Sequence, residues 1–125
     1  MKDLADIWDD SFSAPINGKT YRIPAPTAHT GLTLRVELAK GEDKLDKLKW
    51  INTLFGGKPL KKGGTPSGGL WDELTADGVG IQYAMHLGMT AIAYFGYGQE
   101  VAEIYWESLG KPAPETPATV ETEDS

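Results

Sequence analysis

Residues 78–99, GVGIQYAMHLGMTAIAYFGYGQ, contain no charged side chain. A run of this kind is stable either inside a membrane or surrounded by other elements of a folded protein. Roughly 20 apolar residues span a bilayer, but Gln82 and His86 interrupt this run. No Lys or Arg occurs between Lys62 and Lys111, so the segment lacks the basic flank that anchors a membrane helix on the cytoplasmic side. The sequence therefore predicts the central, buried helix of a soluble bundle, without membrane contact.

The composition argues against several classes of function. The 125 residues are enough for one domain with its own core, and the absence of cysteine excludes disulfides and thiolate chemistry. His29 and His86 do not form an HxxxH or HExxH pattern, so we predict no metal site and no cofactor. A formal net charge of −6 argues against a nucleic-acid partner, because phosphate binding needs clustered Lys and Arg. The acidic start, MKDLADIWDD, is unlike a signal peptide and predicts a location in the cytoplasm.

Local patterns predict a mainly α fold, a compact bundle of four to five helices with a small N-terminal β-hairpin. Leu4, Ile7 and Trp8 recur at helical spacing and predict a short amphipathic turn. Asn17-Gly18 lies between two extended runs and is a strong hairpin signal, because a type I′ turn needs two positive φ angles. The predicted helices cover residues 28–39, 42–55, 70–77, about 80–95 and 99–109.

Caps and spacing give these helices their expected boundaries and faces. Thr27 and Ser67 are the predicted N-caps of the first and third helices. Leu32, Val36 and Ala39 recur at helical spacing and mark the expected apolar face of the first helix. In the uncharged helix, Gly88 and its alanine neighbours are expected to let another helix approach closely.

Glycine and proline divide the rest of the chain. Residues 56–69, GGKPLKKGGTPSGG, predict a flexible connector, and they lack the GxxxxGK[ST] pattern of a phosphate-binding loop. Residues 111–125, KPAPETPATVETEDS, have almost nothing apolar to bury and predict a disordered, acidic tail rich in Pro and Thr. The expected organisation is therefore a helical domain with its hairpin over residues 1–110, followed by this tail over residues 111–125.

The polar residues that could support chemistry are few. His86 lies one helical turn from Gln82 and from Thr90, with no carboxylate or nucleophile at a useful spacing on that face. We interpret it as a hydrogen-bonded helix histidine. Three glutamates on the last helix share one face and are interpreted as a solvated stripe. No catalytic residue is predicted, although a small enzyme using His86 and a carboxylate stays open as an alternative.

Large aromatic side chains suggest a partner-binding surface, because one small core cannot comfortably bury all of them. Residues 40–62 also contain seven lysines and three acidic residues, a basic patch that favours an acidic protein partner. Trp50 and Phe55 lie within it, beside the glycine-rich segment, and are the expected anchors of a groove. The alternative is that both belong to the core. The predicted partner-binding residues are Trp50, Phe55, Lys49, Trp8 and Phe12.

Four stretches carry a resemblance to a known family. They are DIWDD near the start, PINGKTYRIPAPTAHTGL around the hairpin, ADGV before the uncharged helix, and TAIAYFGYGQEVAEIYWESLGKPAP at the end. Over roughly residues 3–114 the chain resembles the small tail assembly chaperones of long-tailed phages and prophages of actinobacteria. The chain departs from that pattern in the glycine-rich segment 56–69, which leaves the geometry between the second and third helices open.

The resemblance implies a role without catalysis. Such chaperones bind the tape measure protein, a long helical chain, keep it soluble, help to recruit tail tube subunits and then leave. They act in the cytoplasm of the bacterial host and are not expected in the mature virion, and self-association is left open. A groove that receives an amphipathic helix is the expected mode of binding. The alternative is a generic helical adaptor of a bacterial host with no connection to a phage.

Overall fold

Residues 1–111 are described by the structure, a computed structural model, and the predicted disordered tail lies outside the described residues apart from Lys111. The fold is mainly helical with a two-stranded N-terminal hairpin, which confirms the predicted class. The helices are α1 (Leu4–Ile7), α2 (Ala28–Ala39), α3 (Lys47–Leu54), α4 (Gly69–Ala76), α5 (Ile81–Gly96) and α6 (Gln99–Glu107), and the strands are β1 (Phe12–Ile16) and β2 (Lys19–Ile23).

The hairpin turns at the predicted dipeptide. Asn17 has φ of 54° and Gly18 has φ of 83°, as a type I′ turn requires. The antiparallel register pairs Ile16 with Lys19 next to the turn, and strand alternation turns one face of the hairpin toward the helices. The side chains buried on that face are Phe12, Ala14, Ile16, Tyr21 and Ile23.

Helix α5 is the centre of the domain, as the uncharged run predicts. It packs against β1, α2, α3 and α6, and half of its length is buried. At Gly88 the contact with α3 is very close, because a Cβ atom there would lie 2.5 Å from Cγ2 of Ile51. Ile51 is itself fully buried, so an added methyl group at residue 88 would have to displace a core side chain. The expected close approach at Gly88 is therefore confirmed, and its partner is Ile51.

We expect Gly88→Ala to destabilise the fold by about 1–3 kcal/mol, the usual cost of overpacking a tight core. Gly31→Ala is the matched control, because Gly31 is also helical but its Cβ would meet only Pro26 at an ordinary 3.5 Å. Alanine favours helix over glycine, so the control should be neutral or stabilising. Urea unfolding of both variants measures the difference, and equal midpoints would contradict the close packing of α3 on α5.

The second predicted helix is divided in two. Residues Glu42–Lys44 form a single 3₁₀ turn, and Leu45 is extended. Helix α3 then begins at Lys47, because the side chain of Asp46 accepts a hydrogen bond from the backbone N–H of Lys49 at 3.1 Å. Asp46 lies inside the predicted helix and acts as the N-cap of a new one. The prediction of one continuous helix over 42–55 is therefore wrong.

The face of α2 also differs from the expectation. Leu34 and Leu38 are buried, whereas Leu32 and Val36 are exposed. Both pairs have the i, i+4 spacing of a helix face, so periodicity alone cannot choose between them. The choice is made by α5, where Gly96 leaves room for the side chain of Leu38.

Two expected caps are replaced by other contacts. The Thr27 side chain makes no capping hydrogen bond to α2, and its Oγ1 instead donates to Oγ1 of Thr30 at 3.2 Å. The N-cap of α4 is Gly68 rather than Ser67, and the N–H of Gly68 donates to a carboxylate oxygen of Asp72 at 3.0 Å. Each helix still begins within a residue or two of its predicted position.

The two ends of the glycine-rich segment are joined at its base. The N–H of Lys58 donates to the carbonyl of Ser67 at 2.8 Å, and the N–H of Leu70 donates to the carbonyl of Phe55 at 2.9 Å. Buried Asn52 reinforces this base: its Nδ2 donates to the carbonyl of Lys58 and its Oδ1 accepts from Nε1 of Trp71. The connection between α3 and α4 is thus a loop with a fixed base.

A polar cluster attaches the hairpin to the end of α4. Nζ of Lys19 lies 2.7 Å from Asp77 and 3.0 Å from Glu73, and Oη of Tyr21 donates to Asp77 at 2.7 Å. Hydrogen bonds from Lys19 and then from Tyr21 hold the pKa of Asp77 below its usual value. Asp77 is therefore more easily ionised in the folded chain than in the unfolded chain, and its ionised form favours folding.

Asp77→Asn should flatten the acid side of the stability profile. The stabilisation from a carboxylate with a lowered pKa is present above its unfolded pKa and is lost as the pH falls through its folded pKa. We expect the variant to be less stable than the native chain at neutral pH and the difference to shrink below about pH 4. Asp10→Asn, at an exposed site, is the control and should match the native chain in stability both at neutral pH and in acid. Urea unfolding across the pH range measures this, and a gap that grows in acid would refute the assignment.

Candidate functional site

The clearest apolar concavity is a groove beside α6. One face of α5 forms its floor, and one face of α6 forms a wall. On both helices the lining residues lie at i, i+3 and i+4. The opposite wall comes from α2 and the turn before α3. The groove has a volume of about 350 Å³. We call it the α6 groove, and its apolar residues are Met89, Ile92 and Ala93 of the floor, Val101, Ile104 and Tyr105 of α6, Leu38 and Leu45 of the opposite wall, and Tyr97.

The turn between α5 and α6 creates this groove. Gly98 has φ of 123°, which is easily adopted by glycine, and the chain reverses there so that α6 folds back on α5. Ala102 and the half-buried Trp106 make the inner contact of α6. Val101 and Ile104 are left on the side of the helix, and Ile104 is 60% exposed. Large aliphatic side chains at this exposure, around a concave floor, are typical of a surface that binds another chain.

The groove also contains a hydrogen-bonded tyrosine–glutamate pair and two lysines. Oη of Tyr97 donates to Oε1 of Glu42 at 2.6 Å, which joins the start of α6 to the turn before α3. That hydrogen bond, with burial, raises the pKa of Tyr97 to about 12. Lys47 and Lys111 also line the groove and place two positive charges beside its apolar surface.

Glu42→Gln should bring the titration of Tyr97 back toward the ordinary phenol pKa of about 10. The acceptor at Glu42 is the largest cause of the raised pKa, and its negative charge adds to the effect. Tyrosinate absorbance of the native chain and of the variant measures the change. Tyr97→Phe is the control, since it should remove the contribution of Tyr97 while the raised pKa values of Tyr21 and Tyr105 remain, and an unchanged profile in Glu42→Gln would contradict the contact.

Three of the five predicted partner-binding residues lie in the core. Trp50 and Phe55 are each 4% exposed, so the alternative in which both are core residues is the one that the structure supports. Nε1 of Trp50 donates to Glu37 at 2.9 Å, and Phe55 packs against Trp71 with ring centroids 4.6 Å apart. Phe12 is buried against Tyr94. The expected groove at α3 is corrected accordingly, because α3 presents these rings to α5 and its neighbours.

The remaining two predicted residues are exposed. Lys49 lies on the outer side of α3, and Trp8 is 61% exposed. Trp8 follows α1, a helical turn in which no residue is buried. We call residues 3–10 the N-terminal arm. The structure therefore does not bring the five predicted residues together on one surface.

His86 is held by packing and by one backbone contact. Its ring stacks on Tyr105 and Trp106, at centroid distances of 5.3 and 5.0 Å, and its Nε2 lies 3.1 Å from the carbonyl oxygen of Trp106. Oγ1 of Thr90 donates to the backbone carbonyl of His86 at 2.7 Å. These contacts match a hydrogen-bonded helix histidine and give the enzyme hypothesis no support.

Among residues 1–111, no group of three or more His, Asp or Glu side chains is arranged to hold a metal ion. In the same part of the chain, no helix has the length and apolar character needed to cross a membrane.

The fold and the groove define a small, mainly helical domain with a two-stranded hairpin and an exposed apolar groove. The chain belongs to the family described as a domain of unknown function (DUF7426), whose model matches residues 2–125. A search of the curated proteins and a search of the solved structures each found no match.

Proposed function

We propose that this protein is a phage tail assembly chaperone that binds the tape measure protein, keeps it soluble and helps to recruit tail tube subunits. It acts in the cytoplasm of the bacterial host and is absent from the mature virion. The observation that carries the proposal is the α6 groove, together with the sequence resemblance. The groove offers an apolar floor from α5 between α6 on one side and α2 with the turn before α3 on the other, and an amphipathic helix binds to such a surface through residues spaced at i, i+3, i+4 and i+7.

The exposed side chains of α6 are the contacts expected to matter most. Val101 and Ile104 already stand at the edge of the groove, so a client helix gains apolar contact there without any rearrangement of the domain. Lys47 and Lys111 favour acidic residues beside the apolar stripe of the client. The role is thus one of reversible binding, and it needs no catalytic residue.

Co-expression with the long helical protein encoded by the neighbouring downstream gene tests the proposal. We expect the native chain to keep this client soluble and Ile104→Asp to lose that effect, because a carboxylate at the groove edge would be desolvated by the client. A hot-spot loss of about 2 kcal/mol corresponds to roughly a 30-fold weaker complex. Binding of the purified pair by calorimetry gives that value directly.

Leu32→Asp is the matched control, since Leu32 is 61% exposed on α2 and does not line the groove. It should bind the client like the native chain. Equal loss in both variants, or no loss in Ile104→Asp, would refute the α6 groove as the binding site. A native chain that binds some other host protein and leaves the tape measure protein insoluble would favour the generic adaptor instead.

A further inference from the structure

The N-terminal arm is a second exposed apolar feature of the molecule. Leu4 and Ile7 lie one turn apart in α1, Trp8 follows in extended backbone, and the three side chains are 61–63% exposed. The other residues of the arm are four aspartates and Ala5, and the arm contains no Lys or Arg. The arm is therefore a short amphipathic segment whose apolar side chains are mostly exposed in a single copy.

The arm and the α6 groove are complementary in charge. The charged residues that line the groove are Lys47, Lys111 and Glu42, which also accepts a hydrogen bond from Tyr97, so the lining has a net charge of +1. The arm brings Asp3, Asp6 and Asp10 beside its apolar side chains. An acidic amphipathic segment on an apolar floor with basic edges gains from both burial and opposite charges.

The base of the arm favours a groove on another molecule. Asp9 accepts hydrogen bonds from the N–H and Oγ of Ser11 at 3.0 and 2.7 Å, and lies 3.4 Å from Arg22. Arg22 is on the exposed face of the hairpin, the side opposite Tyr21 and Ile23. No residue of the hairpin lines the α6 groove. The base of the arm thus contacts the outer face of the hairpin and lies beside the acidic side of α6, where Ser11 shares a concavity with Glu103 and Glu107, rather than against the face of α6 that lines the groove.

We propose that the N-terminal arm of one copy docks in the α6 groove of a second copy, with Leu4, Ile7 and Trp8 against the apolar floor and the aspartates near Lys47 and Lys111. This self-association goes beyond the chaperone role proposed above and does not depend on the identity of the client, although the arm and a client helix would compete for the same groove. It uses two of the apolar features that a single copy leaves exposed.

Sedimentation velocity of the full chain over a range of concentrations tests the proposal without any client. We expect concentration-dependent association, weakened at least tenfold by Trp8→Asp in the arm and equally by Ile104→Asp in the groove. Both side chains are about 60% exposed, so neither change should unfold the domain, and far-UV circular dichroism checks this. Leu32→Asp, at an equally exposed site outside both features, should associate like the native chain.

A mixture of the two variants provides the decisive measurement. Trp8→Asp keeps an intact groove and Ile104→Asp keeps an intact arm, so an equimolar mixture should associate more strongly than either variant alone. A native chain that stays monomeric at every concentration would overturn the proposal, as would a mixture that stays monomeric. Association lost equally in Leu32→Asp would also overturn it. Failure of the client experiment with success here would leave the arm contact standing.

Discussion

The contact between Ile51 and Gly88 determines much of this structure. Because α5 has no side chain at residue 88, α3 approaches its backbone closely and Ile51 becomes fully buried. The neighbouring rings of α3 follow Ile51 into the core: Trp50 reaches α2 through Glu37, and Phe55 packs on Trp71 at the start of α4. One small residue thus lets α2, α3 and α4 share a single apolar interior with the central helix. It also explains why the aromatic side chains of α3 are not available at the surface, and why the exposed apolar residues of the groove come from α6.

Much of the fold could be predicted from local signals in the sequence. The two positive φ angles that Asn17-Gly18 adopts are a property of the dipeptide, and an uncharged run without basic flanks has to be enclosed by other elements. Helical spacing was less informative where two sets of residues on one helix satisfied it equally well. Leu32 with Val36 and Leu34 with Leu38 satisfy the same spacing, and the space at Gly96 decides between them through a contact that is distant in sequence.

The candidate site was harder to predict than the fold. The α6 groove joins Leu38, Leu45, the middle of α5 and α6, so its concave shape depends on how three separate segments are packed. The spacing of Val101, Ile104 and Tyr105 was visible in the sequence, but the glutamate stripe on the same helix favoured a solvated interpretation. The aromatic residues gave a misleading signal, because large rings are as well suited to a core as to an interface. Only the exposed fraction of each side chain separates the two uses.

The closed base of the glycine-rich segment has a consequence for how the chain tolerates changes in length. Since Lys58 is bonded to Ser67 and Leu70 to Phe55, the ends of the segment are held together whatever lies between them. The entropic cost of closing a flexible loop grows only logarithmically, by about 0.6 kcal/mol for each doubling of its length. Extra residues inserted near Lys61 and Lys62 would therefore lengthen a surface excursion without separating α3 from α4. A peptide epitope or a fluorescent label could be attached here on the intact protein, because Lys61 and Lys62 belong to neither the α6 groove nor the hairpin.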